Sequence, residues 1–106
     1  MTSKSAVTLR AKRVQFFSQH DEDAFFYWLE RLKPFATARG EGDSIMIDVA
    51  TDTLDDDQLR ELLALCHRYQ IDMRSLLVFE NRGNMAWLRN KRAYWHQAMF
   101  EIAPAA

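Results

Sequence analysis

The chain has 106 residues, 48% of them hydrophobic and 12% aromatic, and its formal net charge is −1. Such a composition excludes the low-hydrophobicity class of disordered chains and suits one domain, 1–106, with frayed ends at 1–6 and 103–106. A lone cysteine, Cys66, excludes an intrachain disulfide or a cysteine-rich zinc site, and no apolar run approaches the ~20 residues of a membrane span, so a cytoplasmic protein with no membrane partner is expected.

In residues 7–17, Val7, Leu9 and Ala11 alternate with Thr8, Arg10 and Lys12, and Val14 and Phe16 then resume one position out of phase. This predicts either a strand bulged near Lys12 and Arg13 or a short lead-in followed by a strand. Ser18, with Asp21 three residues on, has capping-box spacing and starts a helix with an apolar stripe of Phe25, Trp28, Leu29, Leu32 and Phe35, ended by Pro34. Because Phe25, Phe26, Tyr27 and Trp28 are consecutive, they point all around the helix, and Phe26 or Tyr27 must leave the core stripe.

From Phe35 to Val49 the period becomes two, and Gly40, Glu41, Gly42 and Asp43 suit a turn, so a β-hairpin is expected with Ile45, Ile47 and Val49 on one face. Thr53 is positioned to cap a second helix carrying Asp55, Asp56 and Asp57 in its first turn, where free N–H groups favour negative charge. Its buried face is Leu59, Leu62, Leu63 and Cys66, flanked by Leu65 and Tyr69. Ser75 to Glu80 contains four successive apolar residues and predicts a strand covered on both faces. Gly83 marks a turn, Asn84 is the N-cap candidate, and Met85 to Phe100 reads as a final helix with Leu88, Trp95 and Met99 on one side and Asn90 as an interruption point.

The resulting order predicts an α+β fold resembling the split βαβ (ferredoxin-like) arrangement, a βαββαβ sheet with an extra C-terminal helix. If residues 35–40 form a loop instead, the alternative is a three-stranded, mainly parallel βαβαβα domain.

Few residues carry a signature of chemistry. His20 and Asp23 share helix spacing suited to a metal, but they are one pair, and capping accounts for Asp21. Cys66 and His67 are adjacent, so on a helix they point about 100° apart and cannot readily act as nucleophile and base. Asp55 to Asp57 lack the alternating ligands and glycine of a calcium loop. No GxSxG, HExxH, CxxC or phosphate-binding glycine loop is present. No catalytic, cofactor or metal residue is therefore assigned, and an enzyme is disfavoured.

Charge is blocked along the chain. Eight acids occupy 41–61 against Arg60 alone, whereas Arg82, Arg89, Lys91 and Arg92 stand in 81–100 with no acid. Within that basic stretch Trp87, Arg89, Lys91, Arg92, Tyr94 and Trp95 interleave cations with flat rings. This composition suits a protein interface, because Trp, Tyr and Arg dominate binding hot spots, and suits nucleic acid through phosphate neutralisation and stacking. A chain with an overall acid excess attracts a polyanion weakly, so the expected function is a non-enzymatic protein-interaction module, self-association included. Nucleic-acid binding through 82–96 is the alternative. A small enzyme with a site between chains, probed by His20, His67 and His96, stands third.

Overall fold

The computed structural model describes residues 6–101. The frayed tails expected at 1–6 and 103–106 therefore lie outside the described residues, except that Ala6 already begins the first strand. In chain order the elements are β1 (Ala6–Lys12), α1 (Gln19–Glu30), β2 (Phe35–Glu41), β3 (Ser44–Ala50), a 3-10 turn Thr51–Thr53, α2 (Asp56–Arg68), a 3-10 helix Met73–Phe79, α3 (Met85–Leu88) and α4 (His96–Phe100).

The sheet is three-stranded and antiparallel in the order β1-β3-β2. The fold is thus α+β, and residues 35–40 are a strand, which removes the parallel alternative. Strand alternation sorts the sheet into two faces: Leu9, Ala11, Ile47 and Val49 are buried in one core with Phe25, Leu29, Leu62 and Leu76, while Arg10, Lys12, Arg39 and Glu41 stay exposed. On the open face Asp48 accepts hydrogen bonds from the Thr8 hydroxyl (2.6 Å) and the Arg39 guanidinium (3.2 Å). Gly42, at φ 61°, supplies the left-handed residue of the two-residue turn between β2 and β3. The expected second strand phase at Val14 and Phe16 does not form. Arg13 adopts φ 53° and donates its N–H to the Asp43 carbonyl at 2.8 Å, which ends pairing and steers the chain toward α1.

Ser18 caps α1 as expected, its hydroxyl accepting the Asp21 N–H at 3.1 Å. Asp21 closes onto the Phe17 N–H (3.0 Å) rather than that of Ser18, since the shorter aspartate reaches a different donor. The helix stops at Glu30, ahead of buried Pro34. For α2 the cap is Asp55, not Thr53: the Asp55 carboxylate accepts the Gln58 N–H at 2.8 Å, and Thr53 belongs to the preceding 3-10 turn. Leu65 is fully buried instead of flanking, since the 3-10 helix Met73–Phe79 also packs against α2. Past the helix end, Gln70 takes φ 58° and the Ile71 N–H returns to the Cys66 carbonyl at 2.9 Å, a Schellman closure with a non-glycine residue in the left-handed position.

The expected fourth strand, Ser75 to Glu80, is instead part of the 3-10 helix, so the ferredoxin-like sheet is not completed. Three residues per turn eclipse Met73, Leu76 and Phe79 on one buried face and leave Val78 58% exposed, a division that a pleated strand cannot produce. Asp72 starts this helix by accepting the Arg74 N–H at 3.0 Å.

The long C-terminal helix is likewise two short ones. Asn90 breaks it, its side-chain oxygen accepting the Arg92 N–H at 2.9 Å in a local turn that competes with helix bonding. The start of α3 rests on two asparagines: the Asn81 side chain accepts the Asn84 N–H (2.9 Å) and Asn84 returns the bond to the Asn81 N–H (2.8 Å). Asn84 thus holds the N-cap position as expected, but it is buried and its side chain bonds to Asn81 rather than into the helix. No helix among the described residues is long and apolar enough to cross a membrane.

Candidate functional site

The side chains of the basic aromatic segment are placed in different settings. Arg89 forms a two-pronged pair with Glu80 (2.5 and 2.9 Å) and lies over the Phe100 ring at 4.7 Å. The Arg89 hydrogen bond holds the Glu80 carboxyl below its usual range, while that of Glu80 raises Arg89. Lys91 and Arg92 stand exposed in the turn between α3 and α4. Trp87, Trp95 and Tyr94 do come together, edge to face, with centroids 5.9 Å apart for the first pair and 4.9 Å for the second. The two indoles are half-buried. Trp95 donates to the Leu88 carbonyl at 2.7 Å, capping α3, and Trp87 lies beneath the Arg60 guanidinium at 4.2 Å. These two rings serve mainly to dock the C-terminal segment on the core.

Tyr94 faces outward, half exposed, and its ring meets that of His67 on α2 at 4.7 Å. That contact completes a trough on the helical layer. The two helices run antiparallel, as shown by the Tyr69 hydroxyl on the Asp21 carbonyl (3.5 Å) at one end and the Lys33 N–H on the Gln58 side chain (2.9 Å) at the other. Between them lie three adjoining recesses. One of about 370 Å³ includes Arg13, Phe17, Asp21 and Arg68; the next, about 570 Å³, includes Arg68, Ala64, His67, Tyr94 and Trp28; the last, about 490 Å³, includes Trp28, Tyr27, Arg31, Gln58 and Glu61. Arg68 lines the first two and Trp28 the last two, so the three recesses follow one another along the helical layer.

Helix periodicity builds this wall. Glu61, Ala64 and His67 with Arg68 recur at three- and four-residue intervals on the side of α2 opposite its buried leucines. On α1, Phe25 and Leu29 take the core while Tyr27 is 64% exposed, as four consecutive aromatics require; Phe26 tucks edge-on against Phe25 at 5.1 Å. The Trp28 indole N–H donates to Glu61 at 3.1 Å and fixes the middle of the trough, and Arg31 lies over the Tyr27 ring at 5.1 Å. Arg31 and Arg68 make no ion pair with any described residue. Of the residues lining these recesses, Tyr94 was expected in a binding segment and Trp28 in the apolar stripe of α1, while nothing in the sequence placed Arg31 or Arg68 beside them.

Burial decides how Cys66 behaves. The Cys66 thiol is buried and its pKa is pushed up to about 12, by burial first and then by the charge of Asp72. It is expected to resist iodoacetamide at pH 8.5 in the native protein and to react fully in urea, since the thiolate is the reactive form. The sign follows: the unfolded thiol ionises near 9, so this group's contribution to stability is complete below pH 9 and is lost as pH rises toward 12. Rapid labelling of the native protein would contradict this burial. No group of three or more potential ligands gathers among the described residues. His20 is exposed, and His96 pairs at 3.1 Å with Glu101, a solvent-facing carboxylate rather than a buried partner. Comparison of the chain with protein-family models, curated proteins and solved structures finds no significant match.

Proposed function

We propose that this chain is a non-enzymatic protein-interaction module that receives its partner along the trough between α1, α2 and Tyr94. One observation carries the reading: Tyr27, Trp28 and Tyr94 line two recesses that share Trp28, beside two guanidinium groups without ion-pair partners among the described residues, the residue types that concentrate binding energy when desolvated. A cytoplasmic setting belongs to the same proposal, because the one thiol needs no oxidising compartment.

For the nucleic-acid alternative, Arg89 is already paired with Glu80, which leaves Lys91 and Arg92 as its exposed cations. Self-association through the same trough is separated by light scattering. The test replaces both outward rings, Tyr27→Ala with Tyr94→Ala, which leaves the buried core untouched. A partner recovered with the full chain should bind the double variant at least about tenfold more weakly, the loss expected for hot-spot aromatics, with dichroism unchanged. Equal binding by the variant would remove the trough from the interaction.

A further inference from the structure

An open sheet has two edges, and here they are built differently. Arg13 donates its N–H to the Asp43 carbonyl at 2.8 Å, one step past the Lys12–Ser44 pair. Since antiparallel residues alternate between bonded and non-bonded pairs, the odd-numbered residues of β1 turn their backbone to β3. Ala6, Thr8, Arg10 and Lys12 therefore turn their N–H and C=O groups to the free edge, and none of them makes a backbone hydrogen bond to another described segment. The register of β1 runs unbroken from Ala6 to Lys12, with no proline and no bulge. On the opposite edge the register shifts between Phe35 and Thr37, which interrupts β2 as a template for a further strand.

We propose that β1 pairs antiparallel with β1 of a second copy, joining the two three-stranded sheets edge to edge. The strand is self-complementary in one register, centred on Leu9. Thr8 then stands opposite Arg10 of the second copy and Ala6 opposite Lys12, so every outward-turned residue exchanges both of its backbone bonds. On the face that carries the core, Leu9 meets its own counterpart and half-buried Val7 gains cover from Ala11. Charge fixes the register. A shift of two residues one way sets Arg10 against Arg10, and the same shift the other way leaves Lys12 without a described residue to pair. Cationic side chains can guard an edge, but these two lie on the open face, opposite a threonine and an alanine, and do not oppose the centred pairing. Arg10 has no ion-pair partner among the described residues. In the pair it lies beyond Thr8 of the second copy, two strand spacings or about 10 Å from the Asp48 that this threonine binds at 2.6 Å, so a carboxylate comes within reach of its guanidinium. No residue of β1 lines the trough, and the contact leaves the docking reading above untouched.

Sedimentation of the full chain from about 1 µM to about 1 mM is expected to show a monomer–dimer equilibrium. Arg10→Pro removes an outward N–H that the monomer does not use, so this variant should sediment as a monomer throughout with dichroism unchanged. Register is read from disulfides. Thr8→Cys mixed with Arg10→Cys should cross-link at least about tenfold faster than either variant alone, because only the mixed pair sits directly opposite, at ~5.5 Å between Cα atoms and within disulfide range. Cys66 is buried and takes no part. A monomer at the highest concentration overturns the pairing, whether or not an extended peptide of another protein then binds β1. So does a dimer that survives Arg10→Pro, or equal cross-linking of the mixed and single variants. A dimer lost in Tyr27→Ala with Tyr94→Ala but kept in Arg10→Pro overturns it as well and assigns self-association to the trough. Should Arg10→Pro fail to fold, the cysteine mixture decides alone.

Discussion

Phe25→Ala is expected to lower the free energy of unfolding by about 3–5 kcal/mol, read as a shift of the urea midpoint at constant slope. Phe25 is fully buried, and its ring meets Phe16, Phe26 and Tyr69 at centroid distances of 5.3, 5.1 and 4.9 Å. Truncation removes the buried ring area and leaves a void that three stiff rings and the sheet cannot readily close. The effect reaches the trough, because Tyr69 packs on Phe25 and lines the recess beside Arg68. Since domains of this size are stabilised by only about 5–15 kcal/mol, the loss is a large fraction of the total. Phe25→Leu, which keeps more of the volume, should cost markedly less. A loss below about 1 kcal/mol for the alanine variant would mean that the cluster of rings is not the core of the helical layer.

Asn84→Ala ranks next, at about 2–4 kcal/mol by the same measurement, from two hydrogen bonds lost and buried groups left without partners. The Asn84 side chain accepts the Asn81 N–H at 2.8 Å and donates to the Phe79 carbonyl at 2.9 Å, joining the end of the 3-10 helix to the start of α3. Both bonds vanish in alanine. Asn84→Asp discriminates the two contributions: a carboxylate can still accept from Asn81 but meets the Phe79 carbonyl with no proton to give. It should therefore be destabilised at neutral pH and recover in part when protonated. If alanine and aspartate variants both match the parent protein, the 3-10 helix and α3 are not coupled through this amide.

What could be read from sequence was whatever local periodicity and local hydrogen bonding decide. The alternation in 6–12 and 44–50 read as half-covered strands, and Ser18 was identifiable as a cap because a helix start needs an acceptor within its own first turn. The buried stripe of α2 followed from leucine spacing alone. By contrast, Leu76 to Phe79 satisfied a covered strand and a buried 3-10 turn equally, because a short apolar run carries no period of its own. Packing against α2 and α4 selected the three-fold form, with Met73, Leu76 and Phe79 turned inward.

The sequence by itself determined that helices and strands mix in the chain, that Ser44–Ala50 is a strand, and that one of the four aromatics at 25–28 faces outward, since each follows from neighbours within a few positions; that 35–40 pairs with this strand was decided by the fold. Tertiary structure alone decided the sheet order, the pairing of Arg89 with Glu80, and the meeting of Trp28, His67, Arg68 and Tyr94. Those residues are separated by up to 66 positions along the chain (94 − 28). A side chain's own spacing says which way it points, but not which distant surface the folded core will bring against it.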